Sequence, residues 1–143
     1  MSMFSSLVVG TDGSETAGEA VRGATQLAKL LSATLHIVTV YRPKAVRGAG
    51  VPDEYLDALG PGGTADALLD DQCARARSAG VQVEGHAETG DPSEAIVRVA
   101  EQVHADLIVV GNKGMAGVRR VLGSVPNSVA HQAPCSVLIL QTT

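Results

Sequence analysis

A chain of 143 residues with 15 Asp and Glu against 11 Lys and Arg fits one domain with a real core, and its mildly acidic balance leaves no broad basic surface for nucleic acid. Trp is absent and the aromatics are Phe4, Tyr41 and Tyr55, which removes the stacking platforms of a single-strand binder and disfavours a flavin sandwich. The opening Met-Ser-Met-Phe-Ser-Ser lacks a basic leader and no apolar run reaches membrane-spanning length, so a cytoplasmic protein without a membrane partner is expected.

Leu7 to Val9 begins an apolar strand that ends in the turn Gly10-Thr11-Asp12-Gly13-Ser14, where Ser14 can cap the following helix. Ala17, Ala20, Val21, Ala24, Leu27, Ala28 and Leu31 recur at three- and four-residue spacing, one apolar face of a long helix. Leu35 to Val40 is the second strand. Residues 42 to 63 are rich in Gly and Pro and form the one long loop, with a short helix over Asp53 to Leu59.

Thr64 caps a helix carrying Leu68, Leu69, Cys73 and Ala76, which Gly80 stops. Val81 to Glu84 alternates as a shallower strand nearer a sheet edge. Asp91-Pro92-Ser93-Glu94 combines an N-cap acid, proline at the first helical position and a glutamate at the third, and the helix it starts buries Ala95, Ile96, Val99, Ala100 and Val103. Asp106 to Val110 is almost wholly apolar, as a central parallel strand covered on both faces should be. Ser124 caps a short helix to Ala133, with Pro126 tolerated in its first turn, and Cys135 to Leu140 is the last strand.

Five strands alternating with four helices imply an α/β fold, an open parallel sheet of order 3-2-1-4-5 with helices on both faces. In such a sheet ligands bind outside the carboxyl ends of the strands where the winding reverses, here between the first and fourth strands. The turn at Gly10 to Ser14 follows the first, and a glycine-rich stretch from Gly111 to Ser124 follows the fourth. Glycines admit an anion close to the backbone, and a helix N-terminus adds unpaired N–H donors. Gly111, Gly114 and Gly123 are therefore assigned to close backbone approach, Ser124 to phosphate oxygens and Asp12 to ribose hydroxyls. Lys113, Arg119 and Arg120 could neutralise phosphate, although loop charges are ordinarily solvated.

Val9-Gly10-Thr11-Asp12-Gly13-Ser14, the Gly-x2-Gly spacing of Gly111 and Gly114 followed by Gly123-Ser124, and the apolar terminal strand together resemble the universal stress protein family over essentially the whole chain. The resemblance implies a flavodoxin-like or Rossmann-like sheet and, for members with the glycine motif, ATP binding in a stress or signalling module. Asp12 and Gly111 would meet the ribose, Gly114, Gly123, Ser124 and Val125 the phosphates, and the Val40 backbone the adenine edge. With their neighbours, the nucleotide-binding set is Thr11, Asp12, Gly13, Val40, Gly111, Asn112, Lys113, Gly114, Met115, Gly123, Ser124 and Val125. Eight residues separate Gly114 from Gly123 where the common family pattern has nine. That shorter arch bears on γ-phosphate contacts more than on adenosine, so AMP and cyclic AMP stand as alternative ligands. The resemblance further implies a homodimer through Cys135 to Leu140, besides an unnamed protein partner.

Rival chemistries find little support. GxxxxGK[ST] is absent, which excludes a P-loop NTPase. A receiver domain would want an acidic pair by the first strand and a Lys ending the fifth, and an adenylyl-transferring enzyme a Ser-Gly-Gly-x-Asp-Ser turn. Cys73 and Cys135 have no CxxC partner and are expected to be reduced core residues. His36, His86, His104 and His131 are scattered without metal-ligand spacing, so no metal site is expected. Ser14, Ser124 and Ser128 lack an activating base, which favours a binding module over the alternative, a slow Mg²⁺-dependent ATPase or phosphotransferase.

Overall fold

The apolar run at Leu7 forms strand β1 (Ser6–Thr11), and the second apolar run, β4 (Leu107–Gly111), lies directly beside it. The computed structural model describes residues 3–41, 63–112 and 124–142. The expected short helix over Asp53 to Leu59 falls outside those residues. In chain order the other elements are α1 (Glu15–Leu31), β2 (Thr34–Tyr41), α2 (Gly63–Ser78), β3 (Gln82–Thr89), α3 (Pro92–Gln102), α4 (Ser124–Gln132) and β5 (Ser136–Leu140). The five strands are all parallel in the order β3-β2-β1-β4-β5, which is the expected sheet.

Period-two alternation explains how the central strands fill two cores at once. Leu7 and Val9 of β1, with Leu107 and Val109 of β4, face the cluster built on α1 and α2. Val8, Ile108 and Val110 face the opposite cluster, beneath α3 and α4. Leu7, Val8, Val9, Ile108 and Val109 have no exposed surface, and each such side chain stabilises the fold by about 1.5–3 kcal/mol relative to an exposed one. Small residues let α1 sit close to the sheet: its buried positions are Ala20, Val21, Ala24 and Ala28.

Two of the four expected caps form, those at Ser14 and Asp91, whereas α2 begins at Gly63 with Thr64 inside it and α4 begins at Ser124 itself. Ser14 Oγ accepts from Ala17 N–H at 3.2 Å, and Asp91 Oδ2 accepts from Glu94 N–H at 3.1 Å with Pro92 opening the helix behind it. Strand β3 runs five residues past the expected end at Glu84. Its backbone pairs with β2 all the way from Thr34↔Gln82 to Tyr41↔Thr89, although its side chains lose apolar alternation after Val83. At a sheet edge the ladder carries the strand and the pattern does not.

Cys73, buried in α2, and Cys135, half-buried before β5, are free thiols, and burial pushes both thiol pKa values up, away from reactivity. Among the described residues no helix is long and apolar enough to cross a membrane.

A carboxylate clasps the amino ends of the two central strands. Asp106 Oδ2 accepts from Ser5 N–H at 2.9 Å, Ser5 Oγ–H at 3.0 Å and Ser6 N–H at 3.1 Å, while Asp106 N–H donates to Ser6 O at 2.8 Å. The Ser5 N–H bond above all holds the carboxyl below its ordinary pKa. A carboxyl depressed in the folded state stabilises above its unfolded pKa and loses that contribution as pH falls through the folded value. Urea midpoints should therefore drop on acidification below about pH 4, and Asp106→Asn should begin lower at neutral pH and lose less on acidification. Parallel pH curves for the two proteins would show that the clasp carries no pH-linked stability.

Candidate functional site

The ladder shared by β1 and β4 stops short of their carboxyl ends, the place where an open α/β sheet has its crevice. The two strands pair over Leu7↔Leu107, Val8↔Ile108 and Val9↔Val109, yet β1 continues to Thr11 and β4 to Gly111. Each strand thus runs two residues past the end of the ladder they share. The winding reverses here: β1, β2 and β3 step outward to one side, and α3 returns the chain to β4 on the other. That is where an open α/β sheet has room for a ligand between strands.

On the β1 side the backbone is held by its own side chains. Thr11 Oγ1 accepts from Gly13 N–H at 3.2 Å, and Asp12 Oδ1 accepts from Ser14 N–H at 2.8 Å. Gly13 sits at φ +84°, a conformation that a side chain at this position would strain, and a Cβ there would also meet Leu68 Cδ2 of α2 at 3.2 Å. Thr11 is buried and serves the turn, whereas Asp12 is exposed at the mouth of the crevice. Ser14 is committed to capping α1, with Thr16 Oγ1 at 3.3 Å, and neither partner is a base.

On the β4 side the chain leaving β5 is tied to the strand end. Asn112 Oδ1 accepts from Thr142 N–H at 2.8 Å and from Thr142 Oγ1–H at 3.0 Å. A Cβ at Gly111 would lie 3.1 Å from Thr142 Oγ1, so the terminal segment packs tightly against this position.

Val40 lies one residue beyond the Thr11↔Thr39 pair, its side chain packed against the α3 and α4 cluster, so its backbone stands at the crevice rim. Val125, in the first turn of α4, likewise turns its side chain toward that cluster. Lys113, Gly114, Met115 and Gly123 lie outside the described residues, as does the Ser124 side chain. Of the expected set, then, Thr11, Asp12, Gly13, Val40, Gly111 and Asn112 come together at the ends of three neighbouring strands. A hollow of about 300 Å³ beside Lys29, Ser32, Gly80 and Gln82 lies at the amino ends of β2 and β3, the opposite edge of the sheet.

A second constellation is one that the sequence did not disclose. His36 of β2 and His86 of β3, taken there as scattered, meet with Nδ1 to Nε2 at 3.0 Å, and Glu84 Oε2 lies 3.4 Å from the same His36 nitrogen. Burial first, and the neighbouring His86 second, push the His36 pKa down, with Glu84 opposing them, so His36 is neutral at physiological pH. Period two would have put Glu84 and His86 on one face had the strand been drawn past Glu84.

Residues 3–141 match the model of the universal stress protein family. A universal stress protein of Mycobacterium tuberculosis is 39% identical over 148 residues that span all of both chains. YxiE, a universal stress protein of Bacillus subtilis, is 32% identical over 148 residues, covering 97% of this chain and 100% of that one. Among solved structures, a universal stress protein in complex with cAMP superposes with a TM-score of 0.75 at 37% identity, covering 98% of each chain.

Replacing Asn112 by Ala removes both bonds to Thr142 and should cost about 1–2 kcal/mol in urea unfolding, with faster hydrogen exchange at the Thr142 amide. Unchanged protection there would show that the terminal segment is held by other contacts.

Proposed function

Because this chain belongs to the universal stress protein family, we propose that it is an adenine-nucleotide-binding signalling module of the ATP-binding kind. The observation that carries this reading is the crevice: two strands whose shared ladder stops two residues short of their ends, with an exposed carboxylate at the mouth. A triphosphate would be repelled by Asp12, whereas ribose hydroxyls can donate to it, so the nucleoside lies toward β1 and the Val40 backbone. The phosphates then run toward Gly114, Gly123 and the N-terminus of α4 at Ser124, where unpaired N–H groups and the helix dipole favour an anion. Mg²⁺ accompanies ATP here as a partner of its phosphate oxygens.

Cyclic AMP is the second reading, favoured by the 37% identical relative solved with cAMP. The two nucleotides differ in what they offer Asp12. ATP presents both the 2′- and 3′-hydroxyls, while the 3′ oxygen of cAMP is taken up in the phosphate ring.

Calorimetry with ATP, AMP and cAMP tests the site and its preference together. Gly123→Val should abolish nucleotide binding with folding retained, and Ser124→Ala should weaken it by about 1 kcal/mol or somewhat more, the scale of one hydrogen bond to a charged acceptor. Unchanged affinity in Gly123→Val would remove the cradle assignment. Recovery of intact ATP after hours with Mg²⁺ and excess protein is the result expected of a binding module. Steady ADP release that Ser124→Ala abolishes would instead establish the slow ATPase.

The proposal extends to assembly. β5 pairs with β4 along one side only and forms an edge of the sheet, with Ile139 39% exposed on it. An apolar edge of this kind is a template for a second strand, and a homodimer through Cys135 to Leu140 would cover it. Sedimentation should give a dimer at micromolar concentration for the wild-type chain and a monomer for Ile139→Lys. A monomeric wild type would end the dimer reading.

A further inference from the structure

The paired histidines on β2 and β3 form a site of a different kind. Glu84 stands opposite His36 in the β2–β3 register, and His86 lies two residues further along β3 on the same face. His36 Nδ1, His86 Nε2 and a Glu84 carboxylate oxygen all lie within 4.8 Å of one another, with His36 Nδ1 at 3.0 Å and 3.4 Å from its two neighbours. The His36 side chain is only 7% exposed, His86 is half-buried and the Glu84 side chain is 66% exposed, so the three descend from solvent to core like steps. Glu84 marks the way in.

We propose that His36, Glu84 and His86 bind a divalent transition-metal cation, with Zn²⁺ as the best-matched ion. Two imidazoles and one carboxylate are an ordinary zinc donor set. Ligand bonds of about 2.0–2.2 Å at tetrahedral angles put donor atoms about 3.3–3.6 Å apart; the Glu84 separation from His36 Nδ1, 3.4 Å, falls in that range and the His86 separation, 3.0 Å, is a few tenths shorter. The remaining adjustment falls on His86 and on Glu84, the most exposed and rotatable of the three. Nitrogen donors argue against Mg²⁺ and Ca²⁺, which want an oxygen shell.

Without a metal the two facing nitrogens need a proton between them, since two lone pairs cannot point at each other. Metal entry replaces that shared proton. One imidazole moves its proton to its outer ring nitrogen, both inner lone pairs turn to the cation, and the ionised Glu84 supplies one negative charge. Glu88 is the next acid on this face, but Arg98 of α3 holds it, Nε to Oε1 at 3.3 Å, while Arg98 Nη2 donates to Thr89 O at 3.2 Å. Three protein ligands leave the fourth position to water. His36 and Val40 are four positions apart on β2, about 13 Å of strand, so this site is independent of the nucleotide crevice.

The test uses the untagged, nucleotide-free chain, with Zn²⁺ calorimetry and Co²⁺ as a spectroscopic probe. One equivalent of Zn²⁺ should bind, and Co²⁺ should show the intense visible absorption of a tetrahedral site. His86→Gln should weaken Zn²⁺ binding by about a hundredfold or more and Glu84→Gln by about tenfold, both with native circular dichroism, since neither side chain is fully buried. His104→Gln and His131→Gln, at exposed positions, should bind as the wild type does. Zn²⁺ affinity equal in the wild type and His86→Gln, or a weak octahedral Co²⁺ spectrum, would overturn the proposal.

Discussion

Everything in this molecule hangs on a three-residue ladder between β1 and β4. Both strands are buried on both faces, so neither can slip in register without driving apolar side chains into the wrong cluster. The Asp106 clasp fixes the ladder at its amino end, and the reversal of winding separates the strands at its carboxyl end. A crevice there follows from the topology, and its chemistry from the residues that end each strand.

What the sequence revealed and what it hid divide along physical lines. Strands buried on both faces announce themselves through apolar runs, and helices through a repeating face and a cap, which is why β1, β4, α1 and α3 were legible. Strand β3 was half legible because a backbone ladder leaves no mark on side-chain composition: Gly85, His86 and Glu88 continue no apolar alternation, yet all pair with β2. The histidine pair was lost with the second half of that strand. Around the crevice, chemistry on single residues was readable, whereas contacts closed by distant residues were not. Nothing in the string says that Thr142 packs against Gly111, or that Asn112 is tied to the same residue.

The sheet consequently offers two unlike surfaces. At its carboxyl edge the described groups that can meet a ligand are mostly backbone, arranged by turns, with Asp12 an exposed charge among them. Backbone recognition suits a phosphate chain, which needs donors in an arc more than any particular side chain. On the face beneath α3 the groups are side chains, and their spacing is set by strand register, a far stiffer template than a loop.

The Asp106 clasp also sets an order of events during synthesis. It joins residues 101 and 100 positions apart, so β1 cannot be closed on its β4 side until roughly three-quarters of the chain has been made. Until then β1 can be covered by α1 and paired with β2 through short-range crossovers, while its other edge, apolar on both faces, stands open. A strand whose apolar side chains are wholly covered in the finished protein is thus an exposed edge for much of its time on the ribosome, the interval in which a nascent chain of this topology most needs protection from its neighbours.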